Sequence, residues 1–130
     1  MESAALKEAV TAYIEAYNRF EVDGMLVPLH DEVVFRNIAN GEVNLTTTDK
    51  EEFRRQAEQA APYFSEREQR VTNWQLAGNE LEVAIDYRAV AAVELPNGLK
   101  PGDPIHLQGK SVFRFADGKI ISIEDIRLVP

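Results

Sequence analysis

The sequence predicts an α+β fold: three N-terminal helices packed on a strongly curved antiparallel sheet that encloses a pocket. Two observations carry this prediction. Apolar residues recur with a period near 3.6 through the first half of the chain and near 2 after Glu66, and turn signals then cut the remainder into hairpin-joined pieces. Helices followed by strands, without alternation, leave no place for βαβ crossovers. The 130 residues suit one domain, 1–130, with one core, because folding at that length buries roughly two-thirds of the surface of the unfolded chain.

From Ala5 to Tyr17, the residues Ala5, Leu6, Ala9, Val10, Tyr13, Ile14 and Tyr17 fall on one side of a helix, and Lys7, Glu8, Thr11, Glu15 and Asn18 on the other. Asp23-Gly24 opens a short second helix, Met25 to Leu29, which Pro28 ends or kinks because it has no backbone N–H. Glu32 to Asn37 is rich in β-branched and aromatic residues, and Asn40-Gly41 supplies the positive φ angles of a tight turn into a second strand, Glu42 to Thr46. Thr48 and Glu51 form a capping box for a third helix, whose apolar stripe is Phe53, Ala57, Ala60, Ala61 and Phe64 and whose end is marked by Pro62.

Farther along, Leu81, Val83, Ile85 and Tyr87 alternate with Glu80, Glu82, Ala84, Asp86 and Arg88. Gly78-Asn79, Pro96-Asn97-Gly98, Pro101-Gly102-Asp103-Pro104 and Asp117-Gly118 divide this half into four long strands, antiparallel because their connections are short. Strands of more than ten residues twist and coil. Helices laid across the concave side of such a sheet leave a conical cavity, the default place for function.

Twenty-two acidic and fourteen basic residues give a net charge of −8, a field that repels phosphate backbones and anionic lipid and favours solubility. Nucleic acid and membranes are therefore not expected partners. The absence of cysteine excludes disulfides, thiolate metal sites and cysteine nucleophiles, and suits a reducing cytoplasm. Met1 to Glu8 lacks the basic start and unbroken apolar run of an export signal, and no apolar run is long enough to span a bilayer. The expected location is cytoplasmic. His30 and His106 have no partner at helical spacing, so no metal site is expected, and without a glycine-rich phosphate loop, nucleophile elbow or dinucleotide fingerprint no cofactor is implied.

What remains is a set of groups that the periodicities direct toward the cavity: Tyr13 and Tyr17 from the first helix, and Asn37, Tyr87, Ser111 and Asp125 from strands, with Phe35 and Phe113 beside them as ligand-binding candidates. A buried phenol on a helix stripe is most often a core residue whose hydroxyl finds a carbonyl. Asp125 is the sharper candidate. If Ile121 and Ile123 point inward, period two carries Asp125 and Arg127 inward as well and sets a carboxylate in the wall of an apolar pocket. Burial raises the pKa of such a group and a neighbouring arginine lowers it, and a structural Asp125–Arg127 ion pair is the alternative role. Asp86 and Arg88 fall on the opposite face, toward solvent or a second subunit.

Several stretches together resemble the nuclear transport factor 2-like superfamily, which includes steroid delta-isomerase and the SnoaL-like polyketide cyclases. They are Ala12-Tyr13-Ile14-Glu15-Ala16-Tyr17-Asn18, Val22-Asp23-Gly24-Met25-Leu26, Val33-Val34-Phe35-Arg36-Asn37, Val112-Phe113-Arg114-Phe115 and Asp117-Gly118-Lys119-Ile120-Ile121-Ser122-Ile123. The resemblance spans nearly the whole chain and implies a cone-shaped, cystatin-like α+β roll, a fold that carries many unrelated functions.

By this resemblance Tyr13 falls where the isomerases keep the phenol that donates to the developing oxyanion. Asn37 falls where those enzymes place the proton-shuttling aspartate, and Ser111 where they hold a protonated aspartate as second donor. A neutral amide cannot take up a proton near pH 7, and losing a general base forfeits roughly 10²- to 10⁴-fold in rate, which argues against steroid isomerisation by the familial route. Two functions stay open. One is an isomerase-, cyclase- or dehydratase-type enzyme acting on a small, largely apolar carbonyl or hydroxyl compound, with Tyr13 as oxyanion donor, Asp125 as acid or base and Asn37 positioning. The other is a non-catalytic binding or interaction module, in which the cavity holds an apolar metabolite or is merely core and the outer sheet face forms a homodimer.

Overall fold

The computed structural model describes residues 3–96 and 98–127. The expectations for Met1-Glu2, and for Asn97 within the Pro96-Asn97-Gly98 turn, lie outside the described residues. Among them the elements run α1 (Ser3–Asn18), α2 (Val22–Leu26), β1 (Leu29–Ala39), β2 (Glu42–Thr47), α3 (Lys50–Ala60), a 3-10 turn (Ala61–Tyr63), β3 (Phe64–Ala77), β4 (Glu80–Ala91), β5 (Pro104–Ala116) and β6 (Lys119–Arg127).

Three helices and a long sheet are what the periodicities foretell, with corrections. The second helix covers Val22–Leu26 rather than Met25 to Leu29, and Leu29 already opens β1, because Pro28 stops the helix from the outside. The third helix is capped by Asp49, one residue later than Thr48: the Asp49 carboxylate accepts from the Glu52 backbone N–H at 2.8 Å, while Glu52 Oε1 accepts from the Thr48 backbone N–H and hydroxyl, each at 2.7 Å. Glu52 closes this box in place of Glu51, and its two Thr48 bonds hold its pKa below the ordinary value. Asp49→Ala is expected to lower stability by about 1 kcal/mol in chemical denaturation, since the start of α3 loses its side-chain acceptor.

The sheet is mixed, not wholly antiparallel. Its order is β2-β1-β6-β5-β4-β3, with β3 to β6 joined as antiparallel neighbours and β1 running parallel to β6. Short connections dictate direction only between strands that follow each other, so the β1–β2 hairpin was free to dock on the last strand in either sense. That hairpin turns at Asn40 and Gly41, with φ of 52° and 83°, and the β5–β6 hairpin turns at Asp117 and Gly118, with φ of 54° and 74°.

A bulge on β6 decides which of its isoleucines face the core. Phe115 pairs with Ile120 while Arg114 pairs with Ser122, so Ile121 is an extra residue on β6. Ile120 and Ile123, both fully buried, are therefore the inward pair, and Ile121 is not. The alternation from Ile123 through Asp125 to Arg127 survives because the bulge lies before it.

The core sits between α1 and the concave face: Leu6, Val10 and Tyr13 from α1 meet Leu81, Val83, Phe113, Ile120 and Ile123 from the sheet, and Phe53 of α3 closes the side. No helix among the described residues is long and apolar enough to cross a membrane.

Candidate functional site

Strand register assembles the site. Asn37 on β1, Asp125 on β6 and Ser111 on β5 are direct neighbours in one row across three adjacent strands. The next row inward on the same face holds Phe35, Ile123 and Phe113, and the next outward holds Ala39, Arg127 and Gly109. On β4, Tyr87 lies between Leu107 and Gln69, and two residues beyond it Ala89 lies between Ile105 and Arg67. Side chains two apart on a strand share a face, so the polar groups of four strands converge on the concave side.

Helix α1 roofs this surface. Tyr13 and Tyr17, one turn apart, point down onto it. The Tyr13 ring packs edge-on against Phe113 at a centroid distance of 5.8 Å and lies tilted against Phe53 at 6.2 Å. The Tyr17 and Tyr87 hydroxyls share a hydrogen bond of 2.9 Å. Between roof and sheet, closed on one side by Phe53, Ala57, Ala60 and Phe64, lies a cavity of about 330 Å³. Tyr13, Tyr17, Phe35, Asn37, Tyr87 and Asp125 all line it.

Asp125 is half-buried, open on the side that faces the cavity. Its Oδ1 accepts the Ser111 hydroxyl at 2.7 Å. Burial pushes its carboxyl pKa up, against the opposing pull of the Ser111 bond and the Arg127 charge. Among the described residues no ion pair joins Asp125 to Arg127; the Arg127 guanidinium instead lies over the Tyr87 ring, 5.4 Å from its centroid. A hydroxyl–carboxylate bond thus stands in place of the alternative Asp125–Arg127 ion pair. Burial also drives the Tyr13 phenol well above its ordinary pKa, with the Asp125 charge adding to the rise. Tyr17 and Tyr87 shift upward too, by burial first.

Two candidates lie outside the lining of this cavity. Ser111 is 3% exposed and donates a hydrogen bond to Asp125, so it positions the carboxylate and does not line this cavity. Phe113, fully buried beneath Tyr13, is a core residue. Asn37 keeps its place in the lining, but its Nδ2 donates to Asn44 Oδ1 at 2.9 Å across the β1–β2 hairpin, leaving its carbonyl for the cavity. Asp86 lies on the outer face, where it accepts from His106 Nε2 at 2.7 Å and Arg88 Nε at 3.3 Å; these partners, His106 first, hold its carboxyl below the ordinary range.

Arg67 and Gln69 are absent from the sequence-predicted set. Both are buried, at 6% and 8% exposure, and both line the cavity. The signal was the alternation Arg67, Gln69, Val71 against Glu66, Glu68, Arg70 at the start of β3, where polar residues stand on the inner face. Arg67 Nε donates to the Tyr17 carbonyl at 2.7 Å, and its guanidinium stacks 3.7 Å from the Tyr17 ring centroid and 4.4 Å from that of Phe20. Phe20 reaches it by taking the left-handed position after α1, φ 61°, where the Phe20 and Glu21 N–H groups return to the Tyr17 and Ala16 carbonyls.

A protein-family model described as a SnoaL-like domain matches residues 10–123. No curated protein sequence matches the chain. Among solved structures it is similar to a polyketide cyclase candidate from Xanthomonas campestris, at 20% identity and a TM-score of 0.77, covering 95% of this chain and 90% of that one. It is similar also to an LEH-like epoxide hydrolase of M. tuberculosis, at 15% identity and a TM-score of 0.77 over 98% and 85% of the two chains. A third is a protein of ketosteroid isomerase-like fold from Catenulispora acidiphila, in complex with trimethylamine, at 17% identity and a TM-score of 0.75 over 91% and 83%. At these identities the structures share the fold.

Proposed function

The chain belongs to the SnoaL-like domain family, and we propose that its cavity takes a small, largely apolar carbonyl compound and moves a proton on it, with Asp125 as the proton carrier and Tyr13 as the donor to the carbonyl oxygen. The observation that carries the reading is a carboxylate in the wall of an apolar cavity, fixed by Ser111 on one oxygen, in the same lining as a phenol with no hydrogen-bond partner among the described residues. Burial places the Asp125 pKa closer to working pH, which is what a group that both accepts and returns a proton requires.

The step is an enolisation. Asp125 takes the proton from a carbon next to the carbonyl, the C–H electron pair moves into the carbonyl to leave an enolate oxygen, and the Tyr13 O–H donates to that oxygen. Tyr13 stays protonated throughout because burial raises its pKa. Return of the proton from Asp125, to the same carbon or another, completes exchange or isomerisation. Asn37, which by the resemblance falls where the isomerases keep their base, cannot take up a proton near pH 7 and serves in the lining only to orient the ligand.

The test uses 2-acetylnaphthalene, an apolar ketone with exchangeable methyl protons, in deuterated buffer. Deuterium incorporation followed by NMR is expected to run faster with stoichiometric protein than in buffer at the same pH. Incorporation at the buffer rate, with binding seen by fluorescence, would leave a binding protein and remove the proton-transfer role.

A further inference from the structure

The charges in the cavity run against those of the molecule. The chain carries a net −8, yet the ionisable groups lining the cavity that are charged near neutrality are Arg67, Arg127 and a single carboxylate, Asp125. The two guanidinium groups flank one feature, the Tyr17–Tyr87 phenol pair: Arg67 stacks on Tyr17 at 3.7 Å and Arg127 lies over Tyr87 at 5.4 Å.

This end of the cavity is short of acceptors. Arg67 spends its Nε on the Tyr17 carbonyl, and its terminal Nη2 is buried with no hydrogen-bond partner. Among the described residues neither Arg67 nor Arg127 has an ion pair with a carboxylate, although nine arginine or lysine contacts with carboxylates occur elsewhere among them, most on the surface. The phenol pair holds two hydroxyl protons, one closing the bond between the rings and the other left for a third group. A buried guanidinium with a terminal nitrogen left without an acceptor is costly to maintain, and an anion that reaches this end meets donors already in place.

From this juxtaposition we infer that the ligand is an organic acid, whose carboxylate sits beside the Tyr17–Tyr87 hydroxyls between Arg127 and Arg67 while its apolar body extends toward Tyr13 and Asp125. The inference deepens the proton-transfer function proposed for the cavity and rests on it: the carbonyl to be enolised and the carboxylate belong to one molecule, an apolar keto acid. Gln69, in the same row as Tyr87, offers its amide to the same end.

The test compares 2-naphthoate with 2-acetylnaphthalene, which share one ring system and differ in charge. By fluorescence titration at neutral pH and low salt, naphthoate is expected to bind about tenfold more tightly, and Arg127→Gln to abolish that preference. Arg36→Gln removes the same charge from a surface residue paired with Glu124 and is expected to leave the preference intact, so a general charge effect is told apart from a local one. Equal affinity of wild type for the two probes, or an equal loss from Arg36→Gln and Arg127→Gln, overturns the inference while the ketone site stands. If neither probe binds, both the acid site and the ketone site fall. Should Arg127→Gln not fold, the wild-type preference and its persistence in Arg36→Gln decide the matter.

Discussion

Asp125→Asn is expected to slow α-proton exchange of 2-acetylnaphthalene by about 10²- to 10⁴-fold, the contribution of a positioned general base. The substitution is nearly isosteric, and an amide oxygen can still accept the Ser111 hydroxyl, so the fold and the cavity persist while the proton carrier disappears. Binding of the ketone should change little. The same variant reads out a stability effect. Burial raises the folded-state pKa of Asp125 above the unfolded carboxylate value of about 3.9. Between those two values the folded chain binds more protons than the unfolded one, so this residue's contribution to stability falls as pH rises through the window and stays low above it. Asp125→Asn removes that dependence. Denaturation midpoints of wild type and variant should agree most closely in acid, and the variant should gain on wild type as pH rises. A loss of activity without this change in the pH profile would mean that the carboxyl is not held as proposed.

How much of the fold was legible in the sequence depends on what sets each feature. Local chemistry fixed the Asn40-Gly41 and Asp117-Gly118 turns and the α1 stripe, which depend on neighbouring residues alone. The inward run of Asp125 and Arg127 was legible too, because strand alternation needs no knowledge of the partner strand. The parallel docking of β1 on β6 was not, since it joins residues some ninety positions apart with no connection between them to constrain direction. The Ile121 bulge was hidden for a related reason: Ile120, Ile121 and Ile123 are all apolar, and only pairing with β5 decides which of them point inward.

The site shows the same division. Periodicity selected Tyr13, Tyr17, Asn37, Tyr87, Ser111 and Asp125, and the register of three strands set Asn37, Asp125 and Ser111 in one row. That Ser111 serves Asp125, rather than a ligand, follows from the row, not from Ser111 itself. Arg67 was missed because a charged residue at the start of a strand is ordinarily solvated, and here it is kept inside by two aromatic rings, one of them placed by the left-handed backbone of Phe20. No short-range pattern announces that arrangement.

Tyr13→Phe separates the chemical role of this phenol from its packing role, because the two predict opposite results. The ring is 3% exposed and wedged between Phe53 and Phe113, contacts that phenylalanine retains. If the hydroxyl served only the core, it would hold a buried partner, and its removal would cost about 0.5 to 1.5 kcal/mol of stability with no effect on exchange. Among the described residues it holds none and meets the cavity instead. The expected result is therefore unchanged or slightly raised stability together with exchange slower by about 10²- to 10³-fold, the loss measured when one donor to a developing oxyanion is taken away. That loss should be uniform across neutral and mildly alkaline pH, because burial and the Asp125 charge keep the Tyr13 proton in place well above the ordinary range of a phenol. A wild-type rate that fell off near the usual phenol pKa would show the hydroxyl to be solvated, and the enolate would then have no fixed donor to stabilise it.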